Sequence, residues 1–360
     1  MAYTDIDDPT IYFQNKIYTG NGQSGHAITF DGNSDMQPDW VWIKSRNATE
    51  TSRIYDVVRG ASKHIASNDN NAESTDTNGL TAFGSDGFTV GSGNPVNNNN
   101  KLYASWNWKA GTSFTNDASS TSVGSIDSAG SVNTDAGFSI IGYTGAGDGS
   151  DSSAQTIAHG LGVAPGMIIV KNRADATNWY VYHHKNTAAP ATDVLYLNLD
   201  NATADDNGPW KDVAPTSSVF TVGGDNGVNG NGDAMIAYCF AEKQGYSKFS
   251  SYIGNGNADG TFVYTGFKPA FVMTKPSNKT GEWFMIDNKR DPSNYVRRRL
   301  KANGNAAENT DDNQDFDILS NGFKPRRSAG DWNSSGDTFI YMAFAENPFV
   351  TSTGVPATAR

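Results

Sequence analysis

Two stretches of this chain carry the Asp-x-Asn-x-Asp opening of a calcium loop: Asp31-Gly32-Asn33-Ser34-Asp35 and Asp311-Asp312-Asn313-Gln314-Asp315. Carboxylates spaced this way converge on a cation when a glycine turns the chain at the sixth position and a bidentate glutamate closes the loop at the twelfth. Here the sixth positions are Met36 and Phe316, and the twelfth are Trp42 and Gly322, so neither stretch is an EF-hand. An irregular Ca²⁺ site in a β-rich loop is the one metal expectation that stays open, beside plain Asx turns. No cofactor is expected.

Histidine and cysteine offer little more. His183-His184 follows a strand-like run, and neighbours on a strand point to opposite faces, so the two rings are expected to diverge. His159 lies in the turn Ala158-His159-Gly160-Leu161 and is expected to make a structural hydrogen bond. Cys239, the single cysteine, sits in Ile236-Ala237-Tyr238-Cys239-Phe240 and reads as a buried thiol. No nucleophile elbow, Walker loop or zinc-protease spacing is present. Acidic pairs abound without any one standing out, so a polysaccharide depolymerase is the least favoured reading and no catalytic residue is nominated. Trp210, in Asn207-Gly208-Pro209-Trp210-Lys211, and Trp332, in Gly330-Asp331-Trp332-Asn333, are the candidate glycan contacts. An indole flanked by amides and carboxylates can cover a sugar's apolar face while its neighbours bond the hydroxyls. The competing reading for both is a plug at the end of a sandwich or a packing contact.

The elements that would position these residues are written three times. Tyr18-Thr19-Gly20-Asn21-Gly22, Tyr143-Thr144-Gly145-Ala146-Gly147 and Tyr252-Ile253-Gly254-Asn255-Gly256 each open a copy. A proline and an apolar run ending in lysine follow: Pro38 to Lys44, Pro165 to Lys171, Pro269 to Lys275. Matched spacing then pairs Arg53 with Trp179 and Trp283, and Phe88 with Phe220 and Phe323. Each copy closes on an apolar run ending at Trp108, Phe240 or Phe344. A repeat of about 100 residues is a whole domain rather than a solenoid unit. The runs are short, rich in Val, Ile, Tyr, Phe and Trp, and bounded by Asn, Gly, Asp and Ser, which is the pattern of strands and tight turns. The fold class expected is all-β: three tandem β-sandwich domains of jelly-roll or lectin-like type. Residues 1–111 form the first, 136–250 the second, and 251–360 the third with a C-terminal tail. Residues 112–135, rich in Ser and Thr, read as a flexible or draped linker, or as an arm crossing a neighbouring subunit. The best helix candidate is Pro292 to Ala302, of one or two turns.

Bulk composition narrows the partners. A net charge of −11 argues against binding nucleic acid through its phosphates. The basic knot Arg297-Arg298-Arg299-Leu300-Lys301 is expected to be a solvated face or an inter-subunit contact. Hydrophobic residues make up 37% of the chain and charged ones 18%, so each core must be small, with aromatics supplying much of its area. No apolar stretch reaches membrane-spanning length, and the acidic start Met1-Ala2-Tyr3-Thr4-Asp5 lacks a signal-peptide pattern. Synthesis in a bacterial cytoplasm, without membrane insertion, is the expectation.

Several strings then point to a setting. Asp7-Asp8-Pro9-Thr10-Ile11-Tyr12-Phe13-Gln14, Gln37-Pro38-Asp39-Trp40-Val41-Trp42-Ile43-Lys44, Ala136-Gly137-Phe138-Ser139-Ile140-Ile141, His159-Gly160-Leu161-Gly162-Val163-Ala164-Pro165 and Phe344-Ala345-Glu346-Asn347-Pro348-Phe349 resemble a family of tailed-phage virion proteins, common in phages of marine bacteria. The resemblance covers nearly the whole chain. It implies a non-enzymatic structural protein on the virion surface, as a tail fibre or appendage, serving assembly and host adhesion. The partners implied are other copies of itself, with a trimer as the first guess, other virion proteins and a host surface glycan. A carbohydrate-binding receptor reader and a capsid decoration protein are the alternatives.

Overall fold

The run Trp40-Val41-Trp42-Ile43 has no polar residue to turn toward water, so as a strand it must bury both faces. The computed structural model, which describes residues 2–149, 154–309, 316–328 and 330–358, shows how that is achieved. Trp40 and Trp42 point into a cluster shared by all three copies, whereas Val41 and Ile43 point into a core private to the first. In the second copy Met167 and Ile169 take the shared side, and Ile168 and Val170 the private one. In the third copy the private core runs into the shared one without a break.

The protein is all-β, with antiparallel sheets throughout. Each copy has a main sheet of the same strand order. An opening strand pairs with the closing strand, the closing strand with the proline-led central strand, and the central strand with an outer strand. In the first copy these are Phe13–Thr19, Leu102–Trp108, Trp40–Ser45 and Arg53–Asp56. In the second they are Phe138–Thr144, Ala234–Phe240, Met167–Asn172 and Tyr180–His183, with Asp193–Tyr196 and Ala204–Asp205 beyond. In the third they are Ser247–Ile253, Thr338–Pro348, Phe267–Pro276 and Phe284–Asp287, with Leu300–Lys301 beyond. The second layer of each copy is a small sheet bearing the matched phenylalanine: Phe88 on Gly87–Val90, Phe220 on Val219–Val222, Phe323 on Gly322–Pro325. All three rings are buried.

Each main sheet is thus covered on one side by its small sheet and on the other by the neighbouring copies. The closing aromatics meet at the centre. Trp108 and Phe344 lie 5.5 Å apart between ring centroids, Phe240 and Phe344 6.1 Å, and Trp40 links Trp108 at 4.5 Å to Phe240 at 5.8 Å. Aromatic pairs at these separations add about 0.5–1.5 kcal/mol each beyond burial.

Three expectations are corrected by this arrangement. The Ser/Thr-rich stretch 112–135 is neither a loose linker nor an arm. Thr112–Asn116 and Ser128–Asn133 form a hairpin that extends the second main sheet at its opening strand. Val132 belongs to the private core of that copy and Phe114 packs against it, so sparse apolar residues at alternate positions are enough to hold the hairpin. The segment Pro292 to Ala302 is not helical. Its proline start and the demands of neighbouring strands give an extended path, with Val296 bridged to Phe316 and Leu300–Lys301 paired to Phe284–Asp287. Ser52, rather than Arg53, holds the place of Trp179 and Trp283, because the registers Ile43↔Arg53, Val170↔Tyr180 and Thr274↔Phe284 align Arg53 with Tyr180 and Phe284. Among the described residues no helix is long and apolar enough to cross a membrane.

Candidate functional site

The Tyr-x-Gly-x-Gly openings form the same contacts in every copy. In each copy the tyrosine hydroxyl donates to a main-chain carbonyl: Tyr18 to Val96, Tyr143 to Val228, Tyr252 to Trp332. The next residue along is a fully buried asparagine, Asn97, Asn229 or Asn333. Its Oδ1 accepts the main-chain N–H of Asn21, Ala146 or Asn255, and its carbonyl accepts that of Gly22, Gly147 or Gly256. The first glycine lies so close to this segment that a Cβ at Gly145 would stand 2.1 Å from the Gly230 carbonyl oxygen. The motif is a clamp that fixes the loop onto the sandwich.

The lysine ending each central strand has a matching role between copies. Lys44 donates to the Gly304 carbonyl of the third copy. Lys171 reaches Asn70 of the first copy and carbonyls of its own turn, and Lys275 reaches Asp200 and Asn201 of the second. Burial lowers all three ammonium groups to about 8 from the ordinary lysine value. First reaches third, second reaches first, third reaches second: the three copies close a ring.

A second set of residues follows the same cycle. Asp56 and Arg59 form a buried pair three residues apart, and Arg59 also meets Glu73, whose other partner is Arg173 of the second copy. Tyr238 of the second copy donates to Asp56 at 2.7 Å. Between the third and first copies the same parts are Asp287, Arg290, Glu308 and Arg46, with Trp106 donating to Asp287 at 3.1 Å. Between the second and third copies the equivalent positions hold His183, Asn186, Thr203 and Ser277. The main-chain bond that marks the equivalence is retained, from Glu73 N–H to Arg173 O, Glu308 N–H to Arg46 O, and Thr203 N–H to Ser277 O. At these positions two interfaces are therefore ionic and one is neutral. The signal lay in the sequence as Asp56-Val57-Val58-Arg59, Asp287-Asn288-Lys289-Arg290 and His183-His184-Lys185-Asn186, but it emerges only once the strand registers align the three.

Trp210 and Trp332 are 2% and 3% exposed, so neither offers a ring face to a glycan. Trp210 ends a helical turn, Asn207–Trp210, and packs edge-on against Tyr182. Trp332 stacks on Phe284 at 4.7 Å, with the Arg299 guanidinium over its ring. Asn207 beside Trp210 is exposed while Asn333 beside Trp332 is buried with it, and a sequence cannot distinguish the two. His159 accepts from Leu161 N–H and bonds the Thr216 carbonyl. His183 and His184 do not diverge: their rings are 5.7 Å apart, on the Tyr341 and Phe249 carbonyls of adjacent strands in the third copy. His184 lies just past the strand end, where alternation no longer applies. Burial pushes the Cys239 thiol up to about 12. The basic knot is partly internal: Arg299 is buried, Arg298 pairs with Asp291, and Lys301 pairs with Glu282. Asp31, of the first calcium-like loop, is paired with Lys16 and Lys289. The second such loop lies outside the described residues. Among the described residues no three His, Cys, Asp or Glu side chains converge as metal ligands would.

The match to known families spans all three copies as one unit. Residues 8–348 match a family described as a domain of unknown function (DUF7483). The chain belongs to that family. No curated protein and no solved structure matches it. The family boundary encloses the ring and does not divide it, in keeping with residues from every copy meeting in one core.

Proposed function

We propose that this member of the family is a non-enzymatic structural protein of a phage virion, exposed on the particle as a tail fibre or surface appendage and serving assembly and host adhesion. One observation carries the reading beyond the sequence resemblance. The residues repeated in every copy, namely the tyrosine clamps, the strand-end lysines and the closing aromatics, engage one another inside the chain. A body stitched this way is rigid, and what varies between copies is loop text, where recognition is usually carried.

A rigid body presents its loops without having to order them on contact, and several copies on one particle turn weak contacts into avidity. The partners proposed are other virion proteins, further copies of this chain and a host surface glycan. The ring supplies a threefold-like unit within one chain, so a homo-oligomer would be an assembly of such units.

Immunogold labelling of purified particles tests the reading. Label on the tail or its appendages is the expected result, and label over the capsid would favour a decoration protein. A chain present in lysates but missing from purified particles by mass spectrometry would end the virion reading.

A further inference from the structure

The three interfaces of the ring are built on one plan, and the third departs from it in a consistent direction. Where its siblings hold Arg59, Glu73 and Arg173, or Arg290, Glu308 and Arg46, it holds Asn186, Thr203 and Ser277. Each replacement is shorter and uncharged. A groove of about 610 Å³ lies between the second and third copies and is lined by all three of these residues. That is within the range of about 300–1,000 Å³ typical of small-molecule sites.

The walls of the groove mix polar groups with a larger share of apolar surface. Ser277, Asn278 and Ser251 come from the third copy, and Asn186, Thr203 and Asp205 from the second. Asn186 is only 3% exposed. Its Oδ1 takes the Thr203 hydroxyl at 2.7 Å, while its buried Nδ2 has no partner among the described residues. A buried amide N–H without an acceptor costs about 1–3 kcal/mol, which an acceptor entering from the groove would recover. Carboxylate acceptors stand nearby in Asp193 and Asp205, with Lys185 as a further donor, and the methyl groups of Ala188 and Ala202 interrupt the polar lining.

We propose that this groove binds a neutral saccharide unit, with a ring or hydroxyl oxygen accepting from Asn186 Nδ2 and hydroxyl groups donating to Asp205. The mixture of closely spaced donors and acceptors matches a polyol. A phosphate or sulfate would meet two carboxylates against one lysine. The inference deepens the adhesion reading by naming its site and ligand class, and it rests on that reading for its biological meaning.

The test uses the labelled full chain on an array of neutral mono- to tetrasaccharides, with sialylated and sulfated glycans alongside. Two variants accompany it. The double variant Ser277→Arg/Thr203→Glu restores the pair that Arg173 and Glu73 form in the sibling interface, so it closes the groove with a combination this fold already accommodates. Asp205→Asn alters an exposed rim residue and leaves the fold alone. The expected result is binding to a subset of neutral glycans, lost at least tenfold in the double variant and several-fold in Asp205→Asn, with thermal midpoints near the parent's. Competition by a free monosaccharide distinguishes a single-residue site from one reading a longer chain, and either supports the proposal. Binding to no neutral glycan, binding to charged glycans only, or binding unchanged in both variants overturns it. Adsorption of labelled protein to host cells is read in parallel. Saccharide binding without adsorption upholds the groove and overturns the adhesion reading, whereas adsorption without saccharide binding does the reverse.

Discussion

Trp283 of the third copy donates its indole N–H to the main-chain carbonyl of Tyr196 in the second, at 2.9 Å. Trp179 of the second copy does the same to Ala66 of the first, also at 2.9 Å. The first copy has Ser52 at this position, and its hydroxyl reaches the third copy only through Ser67, which donates to the Ala302 carbonyl. One junction of the ring therefore lacks the ring-and-bond contact that pins the other two.

Replacing either tryptophan should loosen the ring. Trp283→Phe removes a donor, while Leu199 N–H still reaches the Tyr196 carbonyl, for an expected loss of about 0.5–1.5 kcal/mol. Trp283→Ala adds a large cavity and should cost about 3–5 kcal/mol. Urea titration followed by tryptophan fluorescence measures both. A change under about 0.5 kcal/mol for Trp283→Ala would contradict the packing described.

The ionic interfaces should respond to the loss of one partner more than to the loss of both. Arg290 and Asp287 are almost fully buried and joined at 2.5 Å. Arg290→Met leaves Asp287 and Glu308 without their shared cation, and the expected loss is about 3–5 kcal/mol. The double change Arg290→Met/Asp287→Leu removes the stranded charge as well and should lose less than Arg290→Met alone. Chemical denaturation of the parent, the single and the double variants closes this comparison. A double variant at least as destabilised as Arg290→Met alone would rule it out.

The neutral interface should be the acid-sensitive one. Burial, with the neighbouring His184 adding to it, holds the His183 imidazole down at about 3, against an ordinary value of 6.5. The unfolded chain thus binds a proton between those values that the folded chain refuses, so stability rises with pH across that window. The contribution is fully present above about pH 6.5 and is lost as the pH falls toward 3. His64, lowered to about 4, and His159, also lowered, act with the same sign. The melting temperature should fall between pH 6.5 and 4.5, where Asp and Glu still contribute little, and His183→Gln should flatten that slope. An unchanged slope in His183→Gln would place the acid response elsewhere.

The scaffold was more legible than the site, for physical reasons. Strands and turns declare themselves in short apolar runs and Asn/Gly clusters, and the matched phenylalanines fell on equivalent small-sheet strands in all three copies. The hairpin in 112–135 was missed because its composition is that of a linker, while Phe114 and Val132 supply only a thin apolar pattern. Trp210 and Trp332 misled because polar neighbours reveal where a segment runs and not where its ring points. The departure at Asn186, Thr203 and Ser277 was invisible for another reason: those residues are ordinary until their siblings' arginines and glutamates are brought beside them by register.

Tandem domains on a string should melt separately, and this chain should not. Phe13 of the first copy stacks on Phe344 of the third, Trp40 stacks on Tyr238 of the second, and Phe240 packs against Phe249. Removing any copy would strip one side from the main sheets of the other two and expose the aromatic faces that now meet at the centre. Hydrophobic burial of this kind contributes about 25 cal/mol per Å² of apolar surface, so the exposure is costly as well as adhesive. Differential scanning calorimetry of the full chain should give a single transition whose calorimetric and van't Hoff enthalpies agree. The fragment 245–360, which keeps the whole opening strand Ser247–Ile253, should bind hydrophobic dyes when expressed alone and lack a sharp melt, because Phe271 and Met273 would face water along a whole sheet. A folded, monomeric fragment 245–360 with its own cooperative transition would return the protein to a row of independent domains.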